Sequence, residues 1–295
     1  MSLIEKAGGV FEKAADGVPR AVQPEPLRTV EPSQFDIDLT QLAAHGFYTP
    51  ADRASRLALE MRAIKRKLLR RTGLRNASGD PRLAKKGGRQ RNLILVTSTR
   101  PGEGKTFFAI NLALSLAYEE EMDVLLVDAD APRPKIRAHF GLPESPGLTN
   151  RIANPAVSLD AVTMRARQAP LSILGEGTPA GRTADLFSSA EAQRVFTEMS
   201  MRKAGRVVII DAPPVLATAE SIMLARHVDE VVFVVEADAT PQAAVETALD
   251  EILDANPNVS LVLNRCLIGP GSAYYGSYGD YERKAEPPPS GGDRL

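Results

Sequence analysis

Residues 93–106 read LILVTSTRPGEGKT, from Leu93 to Thr106. A short aliphatic run passes directly into a glycine turn and then into a lysine and a threonine. Four large aliphatics in succession indicate a strand buried on both faces, as in parallel sheets covered by helices. Gly102 and Gly104 allow close approach of the backbone to a ligand, while Lys105 brings charge and Thr106 a hydroxyl at the start of a helical pattern. In such a turn the backbone N–H groups surround phosphate oxygens, the lysine reaches the terminal phosphates and the hydroxyl joins a magnesium shell. Pro101, Gly102, Glu103, Gly104, Lys105, Thr106 and Phe107 are therefore read as nucleotide-binding. Thr99 stands where the pattern has its first glycine.

The alternation of strand and helix continues outward from this loop. Further strand-length apolar runs lie at 124–128, 207–211, 231–235 and 260–264, with a shorter one at 171–174. Helical patterns separate them at 105–119, 183–202, 218–227 and 241–254. This order predicts an α/β, doubly wound, mostly parallel sheet of the P-loop NTPase type with helices on both faces. Ligands of such sheets gather at the carboxyl ends of the strands, and three aspartates are placed there: Asp128, Asp130 and Asp211. Asp211, after ValValIleIle, is read as holding magnesium through water. Asp130 is equally well explained as a cap or an outer support. Asn264 ends the last apolar run and is either a strand-end cap or a ligand contact.

The chain has 295 residues, with 36 Lys+Arg against 37 Asp+Glu, so the molecule as a whole is not an electrostatic binder of nucleic acid. Twelve basic residues and a single acid, Asp80, nevertheless lie between Arg62 and Arg91. The one cysteine, Cys266, suits a reduced cytoplasm, and neither a membrane span nor a signal peptide is evident. Four segments follow: a flexible stretch over 1–50 with a weak amphipathic helix at 2–16, a basic helix and linker over 51–91, a P-loop domain over 92–268, and a flexible tail over 269–295. In the second segment Leu57, Met61, Ile64 and Leu68 form one apolar stripe, which leaves Arg62, Lys65, Arg66 and Arg70 outside.

Taken in order, LeuValThrSer…ProGlyGluGlyLysThr, LeuLeuValAspAlaAsp…ArgPro, PheGlyLeuPro…GlyLeuThr, AspAlaProPro and a closing group of tyrosines resemble the bacterial tyrosine kinases of polysaccharide export. The resemblance is nearest to the kind associated with exosortase systems and spans roughly residues 57–281. It implies ATP and Mg2+ as cofactors, a small residue tolerated at Thr99, and Asp128 as the base or orienter for a tyrosine hydroxyl. Asp130 and Asp211 would tune or hold the metal, with Thr106 and Asp128 in its sphere, and Asn264 resembles the adenine-reading residue of related ATPases. Pro132 departs from the family, which commonly has arginine there; Arg133 follows one step later.

Tyr274, Tyr275, Tyr278 and Tyr281 lie among glycine, serine and aspartate rather than aliphatics. Beside a P-loop of this family they are expected as phosphoacceptors, modified between subunits of a homo-oligomer. The resemblance further implies a membrane-embedded chain-length or export protein as activator, which would recruit the cytoplasmic chain to the inner face of the membrane. Glu60 and Arg66 match part of a ring-assembly pattern, while Ala63 does not, and peripheral lipid contact is a second use of the basic segment. Two other functions fit a P-loop chain: a partition or positioning switch, which has lysine where Arg100 stands, and an idle nucleotide-binding scaffold.

Overall fold

The computed structural model describes residues 31–74, 85–86, 89–120, 122–178 and 183–266. Eight strands build its main sheet: β1 Ser33–Phe35, β2 Leu93–Ser98, β3 Val124–Asp128, β4 Thr163–Ala166, β5 Leu171–Leu174, β6 Val207–Asp211, β7 Glu230–Glu236 and β8 Val259–Asn264. Their spatial order is β1-β4-β5-β3-β6-β2-β7-β8. Every pairing is parallel except β4 with β5. The strand carrying the glycine turn is central, and in register Asp128 of β3 lies directly across from Asp211 of β6. Two of the three aspartates are thus neighbours by backbone pairing alone.

Alternation along the strands divides the core. Ile94, Val96, Leu126, Ile209, Val232 and Val234 point to one side, where they meet the helix Lys105–Glu119 and the helix Arg56–Thr72. Leu93, Leu95, Leu125, Val127, Val208, Ile210, Val231 and Phe233 point to the other, beneath helices Ala190–Met201, Glu220–Ala225 and Gln242–Ala255. Burial on both faces explains the unbroken aliphatic runs. The edge strand β8 differs, because Leu261 and Leu263 are exposed.

Three expectations need correction. Residues 31–50, expected to be flexible, are built into the fold: β1 pairs with β4, and Phe35, Ile37, Leu42, Phe47 and Tyr48 are buried in the main core. These apolar residues are too widely spaced to give a periodic signal, and they are held by distant partners. Ile37 N–H donates to Gln168 Oε1 and Tyr48 N–H to Asn111 Oδ1 at 2.6 Å. The helix expected at 2–16 lies outside the described residues. The helix expected at 183–202 is two, Thr183–Phe187 and Ala190–Met201, because Ser189 interrupts it and caps the second by accepting from Ala192 N–H.

The third correction is Lys65. Its side chain is buried, not solvated, and its ammonium meets Glu119 Oε2 at 2.7 Å and Glu120 Oε1 at 3.3 Å. Arg62 also reaches Glu119 Oε2, at 3.2 Å. Arg66, Lys67 and Arg70 do face solvent, and Arg71 pairs with Glu230 of β7 at 2.8 Å. The basic helix is therefore fastened to the P-loop helix by charge as well as by Met61 and Leu68. Burial alone would raise the pKa of Glu119, but its hydrogen bonds from Lys65 and Arg62 prevail and hold it below its ordinary value.

Removing one partner of a buried pair leaves the other charge unpaired, at a cost of about 3 kcal/mol. We expect Lys65→Met to lower the urea unfolding free energy by about that amount. The linked pH effect has a definite sign. With its folded pKa depressed, Glu119 contributes stability above its unfolded value near 4.5 and loses it as pH falls through the lowered folded value. Unfolding measured across that acid range should show a shallower loss of stability in Glu119→Gln than in the natural protein.

Candidate active site

The loop between β2 and the helix Lys105–Glu119 takes its shape from two left-handed residues, Gly102 at φ 95° and Gly104 at φ 92°. A methyl group at Gly104 would lie 2.1 Å from Asn264 Nδ2. Thr99 is fully buried and is not among the residues with positive φ, so no glycine is needed there. This accounts physically for the departure from the usual pattern. Glu103 turns its carboxylate away from the cleft: it accepts from Arg100 N–H at 2.8 Å and from the Thr240 hydroxyl. Its backbone carbonyl accepts from Asn264 Nδ2 at 2.8 Å. The side chain of Glu103 braces the loop, and Asn264 ties the end of β8 to it.

Lys105 lies among the aspartates. Its ammonium is 2.5 Å from Asp130 Oδ2 and 3.5 Å from Asp211 Oδ1, and the Thr106 hydroxyl donates to Asp211 Oδ2 at 2.6 Å. Asp128 is held by three backbone donors: Asp130 N–H on Oδ1, and Lys135 and Ile136 N–H on Oδ2, the last two at 3.0 Å. The structure brings Lys105, Thr106, Asp128, Asp130 and Asp211 together. Asp130, for which a simple capping role was open, both pairs with Lys105 and accepts from Arg133 N–H. Tyr274, Tyr275, Tyr278 and Tyr281 lie outside the described residues.

Burial dominates the electrostatics. It pushes Asp128 up to about 8, with the Asp211 charge adding to the effect against the backbone donors at Ile136 and Lys135. It pushes Asp211 up to about 6 against the opposing pull of Lys105 and Thr106. Burial works against the charge on Lys105, yet Asp211 and Asp130 outweigh it and raise its pKa. Three buried carboxylates face one buried ammonium. That surplus of negative charge, with Thr106 and Asp211 offering adjacent hard oxygens, fits Mg2+, which takes one or two protein oxygens and completes its shell from phosphate and water.

A cleft of about 640 Å3 opens over the loop, lined by Pro101, Gly102, Lys105, Phe107, Asp130, Arg133 and Arg265 among others. Phe107 stacks on Phe47 at 5.2 Å, and Phe47 meets His139, also a lining residue, edge-on at 4.9 Å. Sequence reasoning singled out neither Lys135 and Arg265 at the cleft nor the contact made by Phe47. Arg265 carried no signal beyond adjacency to Asn264, and Phe47 fell in a stretch without periodicity.

No family model matches the chain. Over 188 residues it is 28% identical to a putative tyrosine-protein kinase, CapB, of Staphylococcus aureus, covering 63% of this chain and 81% of that protein. Over 174 residues it is 31% identical to the tyrosine-protein kinase ptk of Acinetobacter johnsonii, covering 59% of this chain but only 23% of that longer protein. Among solved structures the VpsO kinase domain is 30% identical, with a TM-score of 0.56, covering 70% of this chain and 98% of that domain.

The clash at position 104 is open to direct test. Gly104→Ala must place a side chain in left-handed backbone and displace Asn264, which we expect to cost about 1–3 kcal/mol in chemical denaturation. Gly102→Ala, where a Cβ meets nothing within 4 Å, should carry only the backbone part of that cost.

Proposed function

The chain belongs to the bacterial tyrosine kinases, and from that premise we propose that it is an ATP-dependent protein-tyrosine autokinase acting on its own C-terminal cluster, Tyr274, Tyr275, Tyr278 and Tyr281. The observation that carries this reading is the meeting of Lys105, Thr106, Asp128 and Asp211 at the carboxyl ends of three adjacent strands. Phosphate oxygens of ATP are received by the loop N–H groups and Lys105, which exchanges its carboxylate partners for them. Bound Mg2+ would neutralise developing charge on the phosphates, held by Thr106 and Asp211. Asp128 orients the incoming phenol and accepts its proton as the phenolic oxygen bonds to the γ-phosphorus, the β–γ P–O bond breaks and ADP leaves. A phenol ionises near pKa 10, so a buried carboxylate of raised proton affinity is a suitable acceptor.

Asn264 donates to the loop through Nδ2, and its Oδ1 is then the acceptor that an adenine amino group requires. Each phosphate adds about −1.5 to −2 of charge to the tail, so successive transfers would repel it from an already acidic site. This supports transfer between neighbouring subunits of a homo-oligomer, followed by loosening of the assembly. The resemblance to the tyrosine kinases of polysaccharide export supports a role in exopolysaccharide synthesis or export, with a membrane-embedded protein of that system as activator. Among the described residues no helix is long and apolar enough to cross a membrane, and recruitment by such a partner would bring the chain to its inner face. The partition-switch alternative turns on a lysine at position 100, where this chain has an exposed arginine.

Purified protein incubated with ATP and Mg2+ should accumulate phosphotyrosine on the C-terminal cluster. Lys105→Met should slow this by about a hundredfold or more, the scale for losing one charge-stabilising donor. Replacing all four tail tyrosines by phenylalanine should remove the signal. ADP release without phosphotyrosine would instead support a switch, and neither product an idle scaffold.

A further inference from the structure

We infer that Arg265 is the platform on which the purine base of the nucleotide stacks, so that the Arg265–Glu236 pair determines base affinity; this rests on the reading of the cleft as an ATP site. Arg265 is one of two non-glycine described residues with left-handed backbone, at φ 58°. Such strain persists where surrounding contacts over-determine it, and it gathers at ligand sites. Here the constraints are explicit. Asn264, the preceding residue, holds the carbonyl of Glu103 in the phosphate loop through its side chain, and its own carbonyl accepts from Ala237 N–H at 2.9 Å. The residue with positive φ follows directly, and Arg265 lines the cleft together with Gly102, Gly104 and Phe107.

The chemistry of the pair favours a base over a phosphate as the occupant. Glu236 Oε1 sits 2.7 Å from the Arg265 guanidinium and offsets its charge, leaving little net attraction for a phosphate. That role is already filled by Lys105 and the loop N–H groups. The carboxylate fixes one edge of the guanidinium, and the side chain remains 56% exposed. Planar guanidinium faces stack on nucleobases, whereas a lysine ammonium has no such face. Asn264 and Arg265 then divide the work at one strand end, with an amide for the base edge and a plane for its face.

The experiment measures equilibrium binding of ATP and of inorganic triphosphate, each with Mg2+, to the full chain and to Arg265→Ala, Arg265→Lys and Glu236→Gln. Both arginine variants should bind ATP about tenfold more weakly and triphosphate within about twofold of the natural protein. Retained triphosphate binding also shows that the variants are folded. Glu236→Gln, which frees the guanidinium without removing it, should fall between. Unchanged ATP affinity in Arg265→Ala, or a parallel loss of triphosphate binding, would overturn the inference while leaving the kinase reading intact. A natural protein that binds neither ligand would overturn the nucleotide reading itself, and the stacking role with it.

Discussion

One ammonium among three buried carboxylates is the constraint around which the molecule is organised. Lys105 is within 3.5 Å of both Asp130 and Asp211, and Asp128 lies across the sheet from Asp211. Groups this buried tolerate charge only when paired and hydrogen-bonded. The loop, the ends of β3 and β6 and the first turn of the following helix are therefore fixed relative to one another before any nucleotide arrives. The arrangement remains short of positive charge.

Around that centre, a second layer transmits constraint inward. The helix Lys105–Glu119 is buried along most of its length because the sheet covers one side while the helix Arg56–Thr72 and residues 31–50 cover the other. Asn111 links these layers: its Oδ1 accepts from Tyr48 N–H, and its Nδ2 donates to the carbonyl of Phe107, one residue beyond Thr106. Phe47 stacks on Phe107 itself. Segments distant in sequence from the glycine turn thus bear on its geometry through a short chain of contacts.

The sheet was legible in the sequence because its strands are buried on both faces, and aliphatic continuity marks that condition directly. The runs 124–128, 171–174 and 207–211 coincide with β3, β5 and β6. The short β4, whose residues are mixed, and β1, which depends on a partner about 130 residues away, gave no such mark. Lys65 was misplaced because helical periodicity ranks a lysine by type, whereas its position is decided by Glu119 and Glu120 on another element. The aspartates were found because strand ends are recognisable. Glu103 and Asn264 acquired roles as loop braces only once β7, β8 and the phosphate loop stood side by side.

The strand order also has a consequence for synthesis of the chain. β2 leaves the ribosome well before its two sheet neighbours, β6 at 207–211 and β7 at 230–236. At about 5–20 residues per second, this buried strand and its glycine turn wait roughly 5–25 s for partners. The nascent polypeptide carries sticky, unpaired surface throughout that interval, so newly made copies of this protein should be clients of the cell's holding chaperones.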